Sequence, residues 1–279
     1  MSEARGPHPH PLPEASTELI AGRRVSWLDF GGDGVPLLAL HGTFGRGAIF
    51  AGLAARLTGR VRIIAPDQRG HGHSARAGDY GRDAFVEDAA AFLRRRGLGP
   101  VPVFGHSLGG VTAYQLAARH PELVSALVIE DVGPVMRRPE VEHPVLDVRG
   151  WPRGAASRAA LGAAIEAAGA PDSGYFLQSA EPDADGGWRL LFDWTDMMAV
   201  QRGGVGDWWA DWLASRVPAL VLRGTESGLL PAGLARAMTE LRPRTRKIEF
   251  QGAGHWIHDD DPDGVAAALA RFLAAAPAA

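Results

Sequence analysis

A chain of 279 residues, 46% hydrophobic with a formal net charge of −3, is long enough for one large α/β domain with an inserted subdomain. That balance argues against disorder, nucleic-acid binding and a strongly charged substrate. The sequence has no cysteine, which removes disulfides, thiolate metal sites and a cysteine nucleophile together. No apolar run reaches the roughly 18 residues that a membrane helix needs, and the first residues lack a basic-then-apolar signal pattern. The expectation is a cytoplasmic monomer or homodimer with a small-molecule substrate, and with neither a membrane nor a nucleic-acid partner.

Residues 1–16 carry Pro7, Pro9, Pro11 and Pro13 interleaved with His8 and His10, too polar to bury, and read as a flexible tail. Arg24–Phe30 reads as a strand and Gly31–Gly34 as a turn. Val35–Leu40 is a continuous apolar run, the mark of a strand covered on both faces of a parallel sheet. It ends in His41-Gly42-Thr43-Phe44-Gly45, a loop able to turn backbone N–H groups toward a neighbouring strand end. A helix over Ile49–Leu57 and the strand Val61–Ala65 follow. Pro66–Ser74 then reads as a tight structural loop in which Asp67 and Arg69 satisfy the backbone and each other.

After a helix over Arg82–Arg95, Val101–Gly110 forms the centre of the chain. A short β run breaks at Gly105 and restarts as the helix Leu108–Arg119, enclosing Gly105-His106-Ser107-Leu108-Gly109. This G-x-S-x-G pattern has meaning only in such a strand–turn–helix context. A serine on that sharp turn holds its hydroxyl above the sheet edge. The strained backbone needs near-absent side chains two places either side, and the helix N-terminus favours developing negative charge.

Val124–Ile129 is a further buried strand, closing in Glu130-Asp131-Val132-Gly133-Pro134. From 135 to 215 the strand–helix alternation lapses. Six of the eight tryptophans lie there: Trp151, Trp188, Trp194, Trp208, Trp209 and Trp212. With helix-like segments at Ser157–Ala168 and Asp207–Ala214, the stretch reads as a helical lid. Two or three tryptophans, Trp194 and Trp208 foremost, are expected to face the pocket. The rhythm resumes with the strand Pro218–Leu222, a helix over Ala232–Leu241, the strand Arg246–Phe250 and Gln251-Gly252-Ala253-Gly254-His255. The last helix starts at Asp261-Pro262, an N-cap residue followed by proline at N1. Repeated βα units imply a mainly parallel sheet with its site at the strands' carboxyl ends. His258 with Asp259, Asp260 and Asp261 looks like a metal cluster, but three adjacent carboxylates cannot all face one ion. Helix capping is expected instead, with no metal and no cofactor.

These residues resemble the α/β-hydrolase superfamily across nearly all of the chain after the tail. His41–Gly45 is similar to its HGxxG oxyanion loop, Asp67–Ser74 to its DxRGxGxS loop, Gly105–Gly109 to its nucleophile elbow and Gly252–His255 to its catalytic-histidine loop. The resemblance implies an α/β-hydrolase fold with its core in 17–134 and 216–279 and a helical cap in 135–215. It implies Ser107 as nucleophile and His255 as base, with an oxyanion hole from Leu108 and Thr43, or Phe44 in place of Thr43. Phe44, His106, Trp194 and Trp208 are the expected substrate contacts. One departure stands out. The family's acid usually follows the strand after the cap, and that loop here reads Gly224-Thr225-Glu226-Ser227-Gly228, with no aspartate at Ser227 or Gly228. Glu130 is preferred as the acid, ahead of Glu226; a site without any acid comes next, and Asp131 is the last option.

The serine argues against the dehalogenase and epoxide-hydrolase branches, whose elbow nucleophile is aspartate. The expected function is an esterase or lactonase acting on a small hydrophobic substrate. A carbon–carbon bond hydrolase of the ring-cleavage-product type is the close alternative. A non-hydrolytic biosynthetic enzyme or a ligand-binding protein reusing the scaffold stays open because of the missing aspartate.

Overall fold

In the computed structural model, which describes residues 12–275, the first element is a hairpin of β1 (Ser16–Ile20) and β2 (Arg23–Asp29). Ala21 and Gly22 join them with φ of 48° and 77°, the left-handed pair that a two-residue hairpin turn needs. Of the expected tail, residues 1–11 lie outside the described residues. The remaining sheet strands are β3 (Val35–Leu40), β4 (Val61–Pro66), β5 (Val101–His106), β6 (Val124–Glu130), β7 (Ala219–Gly224) and β8 (Thr245–Phe250). They form one eight-stranded sheet in the order β1-β2-β4-β3-β5-β6-β7-β8. The β1/β2 and β2/β4 pairs are antiparallel and every later pair is parallel, so the sheet is mainly parallel as expected.

Helices cover both faces. On one face, α2 (Arg82–Arg95), α3 (Leu108–Arg119) and a later helix over Ala232–Leu241 supply Phe92, Leu116 and Met238 to a cluster with Leu38, Val103 and Leu127. On the other, α1 (Ala51–Arg56) and the C-terminal helix Pro262–Ala275 pack Leu53 and Leu269 against Leu37, Phe104 and Val128. Strand alternation is visible in β6: Ala126 and Val128 join one cluster while Leu127 and Ile129 join the other. Asp261 caps the C-terminal helix by accepting from Gly264 N–H at 2.9 Å.

The stretch between β6 and β7 holds α4 (Arg158–Ala167), a turn of helix at Gly174–Leu177, α5 (Trp194–Gly204) and a short helix at Trp209–Ala214. Ser157 caps α4 by accepting from Ala160 N–H at 3.1 Å. Between these helices run a three-stranded ribbon (Gly154–Ala155, Trp188–Leu190, Ala180–Pro182) and a two-stranded one (Val135–Met136, Gly206–Asp207). These five short strands carry no periodic signal in the sequence. Each pairs over only two or three residues.

Candidate active site

Ser107 sits between β5 and α3 with φ 52° and ψ −117°, a strained conformation for a residue with a side chain. The glycines two places either side are sterically required. A Cβ on Gly105 would strike the backbone of Gly109, and one on Gly109 would strike the carbonyl of Leu40 at the end of β3. The tight packing of elbow against β3 therefore fixes the height of the serine above the sheet.

His255, the residue expected as base, bonds a carboxylate other than the preferred Glu130. His255 Nδ1 donates to Asp131 Oδ2 at 2.7 Å, the carboxylate being fully buried and the imidazole side chain 17% exposed. Asp131 also accepts from Gly224 N–H at 3.1 Å and from the Ser227 hydroxyl. Three donors thus fix the carboxylate, two of them from the loop Gly224–Gly228. Glu130, by contrast, is turned away. Alternation along β6 points it to the α1 face, where its Oε1 accepts from His258 N–H and from Nδ1, both at 2.8 Å. Asp131 follows the strand with φ 51°, and this left-handed turn aims its side chain at His255. Glu226 lies exposed and makes no bond to His255. The preference for Glu130 over Asp131 is corrected on this geometry.

His106 lies under the base. Its ring centroid is 4.6 Å from that of His255, and its Nε2–H donates to the His255 carbonyl at 3.0 Å. Burial holds its pKa well below the ordinary value, so it is neutral. Below it, burial opposes charge on His258, but the Glu130 carboxylate outweighs this and raises its pKa to about 9. His106, Glu130 and His258 bring three metal-competent atoms within 4.8 Å of one another. Both Nδ1 and the backbone N–H of His258 are committed to Glu130, and an imidazolium has no lone pair to offer a cation. The neighbouring aspartates disperse: Asp259 accepts from Gln178, Asp260 from Gly254 N–H and Asp261 from Gly264 N–H.

The loop after β3 closes as a turn in which Gly45 N–H donates to the Gly42 carbonyl at 3.1 Å. Its glycines make room for partners from elsewhere in the chain. A Cβ on Gly42 would meet the His106 ring, and one on Gly45 would meet the Tyr175 hydroxyl. Phe44 takes φ 71° at the turn. Among the described residues the backbone N–H groups of Thr43, Phe44 and Leu108 meet no acceptor, which leaves them available to an oxyanion. His41 anchors the loop: it donates through Nδ1 to the Gly42 carbonyl, and its Nε2 accepts from Gln68 N–H at 2.9 Å. In the neighbouring loop, Asp67 accepts from the backbone N–H groups of Gly47 and His73. Arg69 donates to Asp88 and to the carbonyls of Asp79 and Ala84. The structural reading of that loop holds, but the two residues serve different partners and not each other.

Thr43, Phe44, His106, Ser107, Leu108 and His255 line one cavity of about 280 Å³. The stretch between β6 and β7 supplies much of the remaining wall, including Met136, Leu146, Tyr175, Phe176 and Val200. None of its six tryptophans does so, contrary to the expectation for Trp194 and Trp208. Trp208 donates to the Gly204 carbonyl, and Trp212 is wholly buried against Tyr114. Trp151 backs the wall from behind, its ring 6.3 Å from that of Phe44 and 4.9 Å from that of Phe176. The lining tryptophan is Trp256, adjacent to His255. Sequence reasoning missed Tyr175, Phe176 and Trp256. Of these only Trp256 had a signal, its position beside the base.

A doubly covered, mainly parallel sheet with a serine elbow, a strand-end histidine and a buried aspartate defines a class, and sequence comparison agrees. Residues 37–268 match the family model described as alpha/beta hydrolase family, and the chain belongs to that family. It is 29% identical over 254 residues to 2-(acetamidomethylene)succinate hydrolase of Mesorhizobium japonicum, across 87% of this chain and 89% of that one. Identity is also 29% over 254 residues to the mouse sn-1-specific diacylglycerol lipase ABHD11, across 85% of this chain and 80% of that one. The crystal structure of E-2-(acetamidomethylene)succinate hydrolase matches with a TM-score of 0.84 at 26% identity, covering 94% of this chain and 99% of that one. The chain is a hydrolase. Among the described residues, no helix is long and apolar enough to cross a membrane.

Proposed function

We propose that this hydrolase opens carboxylic esters or lactones of modest size through an acyl-enzyme on Ser107. The observation that carries the reading is the bond from His255 Nδ1 to Asp131, in a cavity that also holds Ser107. With Nδ1 committed, the imidazole has Nε2 left to take the serine proton and later return it to the leaving group. Asp131 fixes that tautomer and stabilises the imidazolium. The N–H groups of Leu108 and of Thr43 or Phe44 receive the oxyanion, a contribution of roughly 3–4 kcal/mol per donor in comparable sites. The stretch 135–215 serves as a lid, its underside formed by Met136, Tyr175, Phe176 and Val200.

A complete set of nucleophile, base and acid weighs against a ligand-binding protein that merely reuses the scaffold. The named activities of the relatives, a hydrolase of an acetamido compound and a lipase, fit an acyl-transfer site without fixing its substrate. A fluorophosphonate probe tests the reading. It should label Ser107 stoichiometrically, and Ser107→Ala should lose both labelling and aryl-ester turnover while remaining folded. Labelling at another serine, or retained turnover in that variant, would overturn it.

A further inference from the structure

The cavity wall contains one arginine, Arg82, and no aspartate or glutamate. This residue opens α2, only 5% exposed, and lies alongside the elbow helix. Its Nε donates to Gln115 Oε1 at 3.0 Å and its Nη2 to Thr112 Oγ1 at 2.7 Å, while the guanidinium covers the Phe85 ring at 5.3 Å. Both acceptors are neutral. The third nitrogen, Nη1, is buried and meets no acceptor at all. Burial pulls the pKa down to about 10, which leaves the group cationic at neutral pH. The nearby acids are already engaged, Asp211 by Gln115 and Arg119 and Asp83 by Arg119.

A buried, charged donor with nothing to bond is costly, and stable proteins keep few of them. Side chains that could have neutralised it are absent from the wall. The other ionisable lining residues add no negative charge either: His106, His143 and His255 carry none, and burial holds the Tyr175 phenol protonated by raising its pKa well above the ordinary value. We propose that Arg82 is a carboxylate-binding subsite, so that the substrate is an acyl compound bearing one carboxylate remote from the scissile bond. This rests on the acyl-hydrolase reading above and refines its substrate class. The spacing follows from the helix. Thr112 and Gln115 lie four and seven residues beyond Leu108, a rise of about 6 and about 10 Å along α3. The carboxylate would therefore lie one to two helical turns from the elbow, with apolar wall at Val111, Val132 and Val200 for the chain between the two ends. Nη1 is closed to water in this state, so a small shift of the wall must admit the anion. Gly204, in the same wall, has open space where a side chain would lie.

The test compares 4-nitrophenyl esters of straight-chain monoacids with 4-nitrophenyl monoesters of the matching dicarboxylic acids, from glutarate to suberate. For one chain length, kcat/KM should favour the carboxylated ester by about 10- to 100-fold, mainly through KM. In Arg82→Met that preference ratio should fall to one or below. Uniform preference for the neutral esters in the wild-type chain would overturn the proposal, and so would an Arg82→Met variant that keeps the carboxylate preference. The wild-type series decides even where Arg82→Met fails to fold. Failure of the hydrolase reading is separable, because calorimetry on Ser107→Ala needs no turnover. There monomethyl glutarate, adipate, pimelate or suberate should bind about 10-fold or more tighter than its dimethyl ester. Equal binding throughout would remove the subsite whatever the fate of Ser107.

Discussion

His255 Nδ1 and Asp131 Oδ2 stand 2.7 Å apart, while the residue before that aspartate, Glu130, bonds a different histidine through the opposite face of the sheet. Two adjacent buried carboxylates thus serve two separate imidazoles. Asp131→Asn should lower kcat for an activated aryl ester by on the order of 10⁴-fold while leaving the fold intact, because an amide no longer fixes the tautomer or stabilises the imidazolium. Glu226→Gln, at an exposed position, should stay within a few-fold of wild type in the same assay. A loss confined to Glu226→Gln would return the role to that loop.

Much of this site was legible because its motifs are demands on the backbone. Gly105 and Gly109 are there because a Cβ on either would strike a main-chain atom, and such constraints leave a readable pattern. The carboxylate that bonds His255 was not legible for the opposite reason. Glu130 and Asp131 are neighbours, both wholly buried, and only the strand's alternation and the 51° φ of Asp131 decide which one faces His255. The identity of the residues carries no trace of that turn. Hairpin β1–β2 was hidden similarly, since its positive-φ pair is Ala21-Gly22 and not one of the usual Asn-Gly or Asp-Gly signals. Arg82 was read only as the start of a helix, its missing acceptor being a fact of three dimensions.

Aromatic substitutions should separate wall from support. Trp256→Ala and Phe176→Ala remove lining surface and should raise KM for a bulky apolar ester more than they change attack on a small acetate. Trp194→Phe and Trp208→Phe lie outside the lining and should leave KM within a few-fold. Steady-state kinetics with a long and a short ester check both. A large KM effect from Trp208→Phe with none from Trp256→Ala would reverse the assignment.

Gly45, which closes the turn after β3, offers a paired test. Gly45→Ala places a methyl against the Tyr175 hydroxyl and should depress both stability and turnover, since the turn must shift. Tyr175→Phe deletes that oxygen, which has no hydrogen-bond acceptor of its own to lose. The double variant should therefore recover most of the loss, giving a favourable coupling of about 1 kcal/mol or more in a double-mutant cycle. Additive effects would mean that the turn is held open by something other than Tyr175.

The buried pair Glu130–His258 should appear in stability before it appears in catalysis. Folding raises the His258 pKa from the ordinary 6.5 to about 9, so the native state holds this proton more tightly than the unfolded chain. The stabilisation is fully present below pH 6.5 and is lost as pH climbs through about 9. Urea unfolding of the wild-type chain should accordingly show a decline between those values, by up to ~3 kcal/mol at the usual 1.36 kcal/mol per pH unit. Glu130→Gln leaves an imidazolium without its countercharge and should destabilise by roughly 3–5 kcal/mol near pH 6, and by distinctly less at pH 9.5. Below its unfolding transition the variant should still label at Ser107, because Asp131 and not Glu130 bonds His255. A destabilisation equal at both pH values would identify the pair as a neutral hydrogen bond. Loss of labelling in a demonstrably folded Glu130→Gln chain would instead bring Glu130 into the catalytic relay through His106, whose ring lies between those of His258 and His255 at 5.0 and 4.6 Å.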